Sequence, residues 1–162
     1  MESFKNVNVG LIGCGTVGSG VVKLIKKGVS KKYGVNINLL RIAEINRKVK
    51  ISQDIEFTTK AEEVINDPEV EIVVELIGGY EPALTYIMQA LDNNKNVVTA
   101  NKAVLSEYAP LIFNKAKKKN LCIGFEASVC GSIPIISILL GSLPNDIKSI
   151  IGIVNGLSLI HI

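Results

Sequence analysis

The spacing of apolar positions switches repeatedly between a period of two and a period of three to four. Residues 7–12 (VNVGLI) form a short strand-like run that enters a glycine turn, and residues 16–27 carry apolar side chains at helical spacing. The glycine-flanked polar stretch 28–36 reads as a loop, residues 37–43 as a second strand and residues 46–56 as a surface loop. A short helix over 60–66 stops at Asp67-Pro68, and 71–79 (EIVVELIGG) reads as a buried strand ending in a glycine pair. Pro82 suits the first turn of a helix whose apolar residues Ala83, Leu84, Ile87, Met88 and Leu91 recur at three and four, and Asn93-Asn94 closes it. A strand over 96–99, a helix over 106–119 with a basic last turn and a strand over 121–125 complete the pattern. Strands alternating with helices predict an α/β fold, a parallel sheet covered by helices on both faces and joined by right-handed crossovers.

Composition narrows the setting. The 162 residues, 48% apolar and 20% charged, suit one hydrophobic core, and the apolar content argues against disorder. Eighteen Lys and Arg against fifteen Asp and Glu leave +3, too little charge to point to nucleic acid or a membrane surface. No stretch approaches the roughly 20 apolar residues of a membrane helix, and residues 1–8 lack the apolar core of a signal peptide. Cys14, Cys122 and Cys130 are odd in number and widely spaced, which suggests neither a disulfide framework nor a zinc site. Together these features predict a cytoplasmic protein.

The turn after the first strand reads Gly13-Cys14-Gly15-Thr16-Val17-Gly18, a GxGxxG pattern between a strand and a helix. In that setting the first glycine permits the tight turn, the second lets a pyrophosphate reach the backbone, and the third lets the helix pack closely on the strand. Free N–H groups at the helix start face the phosphates. The expected fold is therefore a Rossmann-type, doubly wound parallel sheet, and the expected cofactor is NADP or NAD. At the end of the second strand, Glu44 can accept hydrogen bonds from a ribose 2′-hydroxyl, whereas Arg47 and Lys48 can neutralise a 2′-phosphate. Both alternatives stand on sequence alone.

Four segments in order, GLIGCGTVGSGVV, ELIGG, VVTANKA and EASVCGSIPII, resemble homoserine dehydrogenase over about residues 7–156. The resemblance implies NAD(P)-dependent interconversion of L-aspartate 4-semialdehyde and L-homoserine, on the route to threonine, methionine and isoleucine. It implies that Gly78 and Gly79 approach the cofactor at a strand's carboxyl end, and that Lys102 in Asn101-Lys102-Ala103 lies near the nicotinamide and substrate. It also implies a sodium ion held at Glu126, Val129, Gly131 and Ile133 by backbone carbonyls and one carboxylate. Two residues depart from the family pattern: Cys130 replaces a usual Gly or Ala, and Ser132 a usual glycine, where φ > 0 would strain it. Cys130 has no evident partner base, His161 being the sole histidine, and reads as a packing residue.

The implied organisation is an NAD(P)-binding domain over 1–133, the start of a substrate and dimerisation domain over 134–156, and a tail, LSLIHI, over 157–162. The tail departs abruptly from the family and looks like a translated transposase end left by library preparation. The family's substrate carboxylates and proton-donor lysine lie beyond this point, so the chain is expected to bind cofactor without useful turnover, and the full-length enzyme to form a homodimer. Two other readings stay open: the nucleotide domain of another two-domain NAD(P) dehydrogenase, and a non-catalytic nucleotide-binding module. The module predicts a closed polar surface; part of a larger enzyme predicts an exposed apolar patch over 133–154.

Overall fold

The computed structural model describes residues 4–46, 55–131 and 133–141, with Ser149 and Ile151. Arg47, Lys48, Ser132 and the 157–162 tail lie outside the described residues, as does most of 134–156. The strands are β1 (Lys5–Ile12), β2 (Val35–Ala43), β3 (Glu56–Thr58), β4 (Ile72–Glu75), β5 (Asn96–Thr99) and β6 (Ile123–Gly124). The helices are α1 (Thr16–Lys26), α2 (Ala61–Ile65), α3 (Ala83–Asp92), α4 (Lys102–Lys118) and α5 (Ile135–Gly141). All strand pairs are parallel, in the order β3-β2-β1-β4-β5-β6. This is the strand order of a Rossmann-type sheet, with its topological switch point between β1 and β4.

Alternation along the strands divides the core between two faces. Val9 and Leu11 of β1 join Val22 of α1 and Leu39, Ile42 and Val74 on one side. Ile12, Val73 and Val97 join Val64, Ile87, Leu91, Val104 and Ile112 of α2, α3 and α4 on the other. Gly10 of β1 lets α2 lie directly on the strand, because a Cβ there would stand 2.3 Å from Cγ1 of Val64.

Three elements differ from the sequence pattern. Within the expected loop 46–56 and just past it lies β3, only three residues long, pinned by Arg41 of β2. Arg41 pairs in register with Glu56 and reaches the carboxylates of Glu56 (2.5 Å), Asp67 (3.4 Å) and Glu63 (3.6 Å). α4 starts at Lys102 rather than 106, because Asn101 caps it by accepting from the N–H of Val104 at 3.1 Å. The helix continues through Pro110, which sits on its exposed side. β4 ends at Glu75 rather than running to the glycine pair; Leu76 still donates its N–H to the Ile12 carbonyl of β1 at 2.8 Å, and residues 77–79 form no strand.

At the amino ends of the strands, opposite the glycine turn, the buried Lys95 donates from Nζ to the carbonyls of Asp67 (2.5 Å) and Val70 (2.6 Å). Burial pulls its pKa down, opposed by the charge of Asp67. Lys95→Met leaves the buried Val70 carbonyl without a donor and the Asp67 carbonyl with the Val70 N–H alone, and is expected to cost about 2 kcal/mol. Urea denaturation followed by circular dichroism reads the loss directly; a midpoint equal to that of the parent chain would refute the role.

Candidate functional site

The site forms beyond the carboxyl ends of β1, β2, β4 and β5. Gly13 leaves β1 at φ +92° and donates its N–H to the Ala43 carbonyl at 2.9 Å. A Cβ there would lie 2.8 Å from the Leu76 backbone, so only glycine passes. Gly18 is equally constrained from the helix side, since its Cβ would stand 2.2 Å from the Gly13 oxygen. Gly15 is the opposite case: it is the N-cap of α1, offers no side-chain cap, and a Cβ there would project into open space with nothing within 4 Å. The first turn of α1 holds no acidic side chain, so its N–H groups and positive dipole end face the space beside Gly15. The turn therefore fits a pyrophosphate, with Thr16, Val17 and Gly18 in the first helical turn. The Cys14 side chain points into the core, where burial pushes its thiol pKa up, against a lowering by Ser19.

At the end of β2 the Glu44 carboxylate accepts from the N–H of Cys14 at 2.6 Å and of Asn46 at 2.9 Å. It lines a cleft of about 260 Å³ with Gly13, Ala43, Thr59, Gly78 and Tyr86. A second cleft of about 290 Å³ lies on the other side of Gly78, between Val17, Leu76, Ala100, Asn101 and Lys102. The two meet at Ile77 and Gly78 with the glycine turn alongside, an arrangement that suits an elongated two-headed ligand. Lys102, the first residue of α4, is exposed at the mouth of the second cleft and also borders a third, apolar cleft against Phe113 and Phe125. Gly79 sits at φ +82°, with its carbonyl held by Nδ2 of Asn101 at 2.8 Å.

Four residues outside the sequence-derived set bind these parts together: Glu75, Thr99, Asn101 and Ser128. The fully buried Glu75 accepts from the Thr99 hydroxyl at 2.6 Å and the Ile77 N–H at 2.7 Å, and burial holds its carboxyl above the usual range despite those bonds. The signal for it was present in the sequence as one carboxylate inside the apolar run EIVVELIGG.

In the loop after β6, Glu126 accepts at Oε1 from the N–H of Ile136 (2.8 Å) and at Oε2 from the N–H of Ser137 (2.9 Å) and its hydroxyl. The Ser137 hydroxyl and these N–H groups hold its pKa below the usual carboxylate range. Val129 is extended, Cys130 and Gly131 follow at φ +55° and +60°, and Ile133 is partly exposed. Cys130 is thus one of three described non-glycine residues at positive φ, with Asn94 and Asn120, while Ser132 lies outside the described residues. Among the described residues no group of three or more His, Cys, Asp or Glu could hold a metal, so a cation in this loop would rest on carbonyl oxygens with Glu126.

A family model described as the homoserine dehydrogenase NAD-binding domain matches residues 13–126. The chain belongs to this family. It is 42% identical over 156 residues to the homoserine dehydrogenase of Synechocystis sp. and 41% identical over 160 residues to that of Bacillus subtilis. These matches cover 93% and 94% of the chain but 36% and 37% of the relatives, so it spans about a third of their length. Its fold matches a Thiobacillus denitrificans homoserine dehydrogenase with a TM-score of 0.81 at 40% identity, over 89% of this chain and 35% of that one. A hyperthermophilic archaeal homoserine dehydrogenase in complex with NADPH matches with a TM-score of 0.70 at 25% identity, over 83% of this chain and 48% of that one. The homoserine dehydrogenase NAD-binding domain is thus present here with its glycine turn and strand-end clefts in place.

Proposed function

We propose that this chain is the cofactor-binding part of an oxidoreductase that interconverts L-aspartate 4-semialdehyde and L-homoserine in the cytoplasm, on the route to threonine, methionine and isoleucine. The observation that carries the reading is the open cradle at Gly15, bounded by Gly13, Cys14 and the first turn of α1. The dinucleotide, when bound, supplies the hydride exchanged with the substrate carbon. The chain's own residues do the holding. N–H groups at Thr16, Val17 and Gly18 receive the pyrophosphate. Glu44 accepts from the adenine-ribose hydroxyls and favours NAD over NADP, with Arg47 and Lys48 following it in sequence. Gly78 and Gly79 line the path between the two clefts, and Lys102 holds an anionic group of substrate or cofactor at the nicotinamide end.

The surface after residue 133 supports a place in a larger enzyme. α5 (IISILLG) has no buried residue, and Ile138 and Leu140 are each 57% exposed, the apolar patch expected if another part of an enzyme packs there. In the longer enzyme the proton donor and the dimer contacts are assigned to that further part. A sodium ion at Glu126, Val129, Gly131 and Ile133 would brace the loop that carries α5.

Fluorescence titration of the 162-residue chain with NADH and NADPH tests the reading. Saturable binding is expected, with no NADH oxidation when aspartate 4-semialdehyde is added. A folded sample that fails to saturate with either nucleotide up to about 1 mM, an affinity of roughly −4 kcal/mol, overturns it. Thermal melts in sodium chloride against choline chloride test the cation, and identical midpoints would remove it from the proposal.

A further inference from the structure

Glu75 closes β4 with its side chain wholly out of water, between apolar positions of the strand. The salt bridges among the described residues belong to Arg41 and Lys115, and none reaches it. A buried carboxylate without a cation is costly unless its oxygens are fully engaged, and a valine or leucine would pack the site at less expense. Its engagement is with the site itself. Thr99, opposite Glu75 in the β4–β5 register, gives its hydroxyl proton to Oε2, and the same hydroxyl oxygen accepts from the N–H of Asn101 at 3.0 Å. Oε1 takes the N–H of Ile77. Asn101 spends every polar atom of its amide nearby, donating to the carbonyls of Ile77 (3.1 Å) and Gly79 (2.8 Å) and accepting from Val104. The Ser128 hydroxyl adds a bond to the Thr99 carbonyl at 2.8 Å. One carboxylate is thus the common acceptor joining the end of β4, the 77–79 turn, the end of β5 and the residue that caps α4.

We propose that Glu75 is a positioning residue of the cofactor site: through Thr99 and Asn101 it sets the Gly78-Gly79 backbone and Lys102 for the nicotinamide half of the dinucleotide. The proposal rests on the cofactor reading above. The adenine half is served by a different set, the glycine turn and Glu44, to which the Glu75 network makes no hydrogen bond; the two halves of the ligand should therefore respond differently when the network is cut.

The test compares NADH with ADP, which carries the adenine half without the nicotinamide, on the full 162-residue chain. In Glu75→Gln an amide N–H₂ replaces an acceptor oxygen and must face either the Thr99 hydroxyl or the Ile77 N–H. NADH binding is expected to weaken roughly tenfold, the equivalent of one or two lost hydrogen bonds, while ADP stays within about twofold. Thr99→Val keeps the carboxyl group but removes the hydroxyl that joins its Oε2 to the Asn101 N–H, carries the same expectation, and serves if Glu75→Gln does not fold. Unchanged NADH affinity in a folded variant overturns the proposal, and so does an equal loss for NADH and ADP, which would make the network a general scaffold. A parent chain that binds neither nucleotide overturns the cofactor reading instead.

Discussion

Gly15→Ala is expected to abolish useful NADH binding, weakening it by about a hundredfold or more, while costing the fold at most about 1 kcal/mol, the usual penalty for alanine at a helix N-cap. The new methyl touches no protein atom, because a Cβ at Gly15 meets nothing within 4 Å. It fills the space through which a pyrophosphate approaches the first turn of α1. Losing two charge-assisted hydrogen bonds there, each worth about 1.5–3 kcal/mol, makes a hundredfold the lower end of the expected loss. Two further glycines of the same helix act as internal controls. Gly18→Ala drives its methyl to 2.2 Å from the Gly13 oxygen and should lose stability as well as binding, by about 1–3 kcal/mol for overpacking. Gly20→Ala, in the interior of α1 with no atom within 4 Å, should gain about 0.5–1 kcal/mol and leave affinity alone. Paired urea melts and NADH titrations on the three variants separate the roles. A Gly15→Ala chain that binds like the parent would show that the turn does not receive the phosphates.

The second large effect concerns the ribose. A 2′-phosphate carries about −1.5 to −2 charges near neutral pH, and the Glu44 carboxylate, to which the proposed function assigns the adenine ribose, is fixed by the N–H groups of Cys14 and Asn46. Unit charges 4 Å apart interact by about 1–4 kcal/mol between bulk-water and surface-like dielectrics, so NADH should bind at least about tenfold more tightly than NADPH. Glu44→Gln keeps the shape and one acceptor oxygen but removes the charge, and is expected to raise NADPH affinity until the two cofactors are near parity. Arg47 and Lys48 supply the competing outcome. If the parent prefers NADPH, and Arg47→Ala with Lys48→Ala abolishes that preference while Glu44→Gln does not, the basic pair reads the ribose.

Local signals carried the legible part of the architecture. The GxGxxG turn was readable because its three glycines stand at fixed local spacing between a strand and a helix; of the contacts under 3 Å behind it, that of Gly18 with Gly13 is local, whereas that of Gly13 with Leu76 comes from the end of the neighbouring strand. β1, β2 and α3 were readable because their apolar periods run long enough to outvote single residues. β3 was not: three residues, two of them exposed, hold too little pattern, and what keeps them on the sheet edge is Arg41, fifteen positions earlier. The early start of α4 was hidden because what holds Asn101 in its capping place is long-range: its amide reaches the carbonyls at 77 and 79 from across the sheet. Glu75 with Thr99, and Glu44 with Cys14, were invisible as pairs for the same reason, being 24 and 30 residues apart. Candidate side chains could be named from the sequence; the bonds that orient them come from the fold.

The glycine turn is tied on several sides before any ligand is present: Gly13 to Ala43, Cys14 to Glu44, and the Ser19 hydroxyl to the carbonyls of Cys14 and Gly15. Its conformational entropy is therefore surrendered when the chain folds, not when the dinucleotide arrives. Encounter then requires no rearrangement of the turn itself, and arrival there is governed by diffusion and orientation. Differences in affinity among turn variants should accordingly lie in residence time, with the dinucleotide leaving sooner rather than entering more slowly.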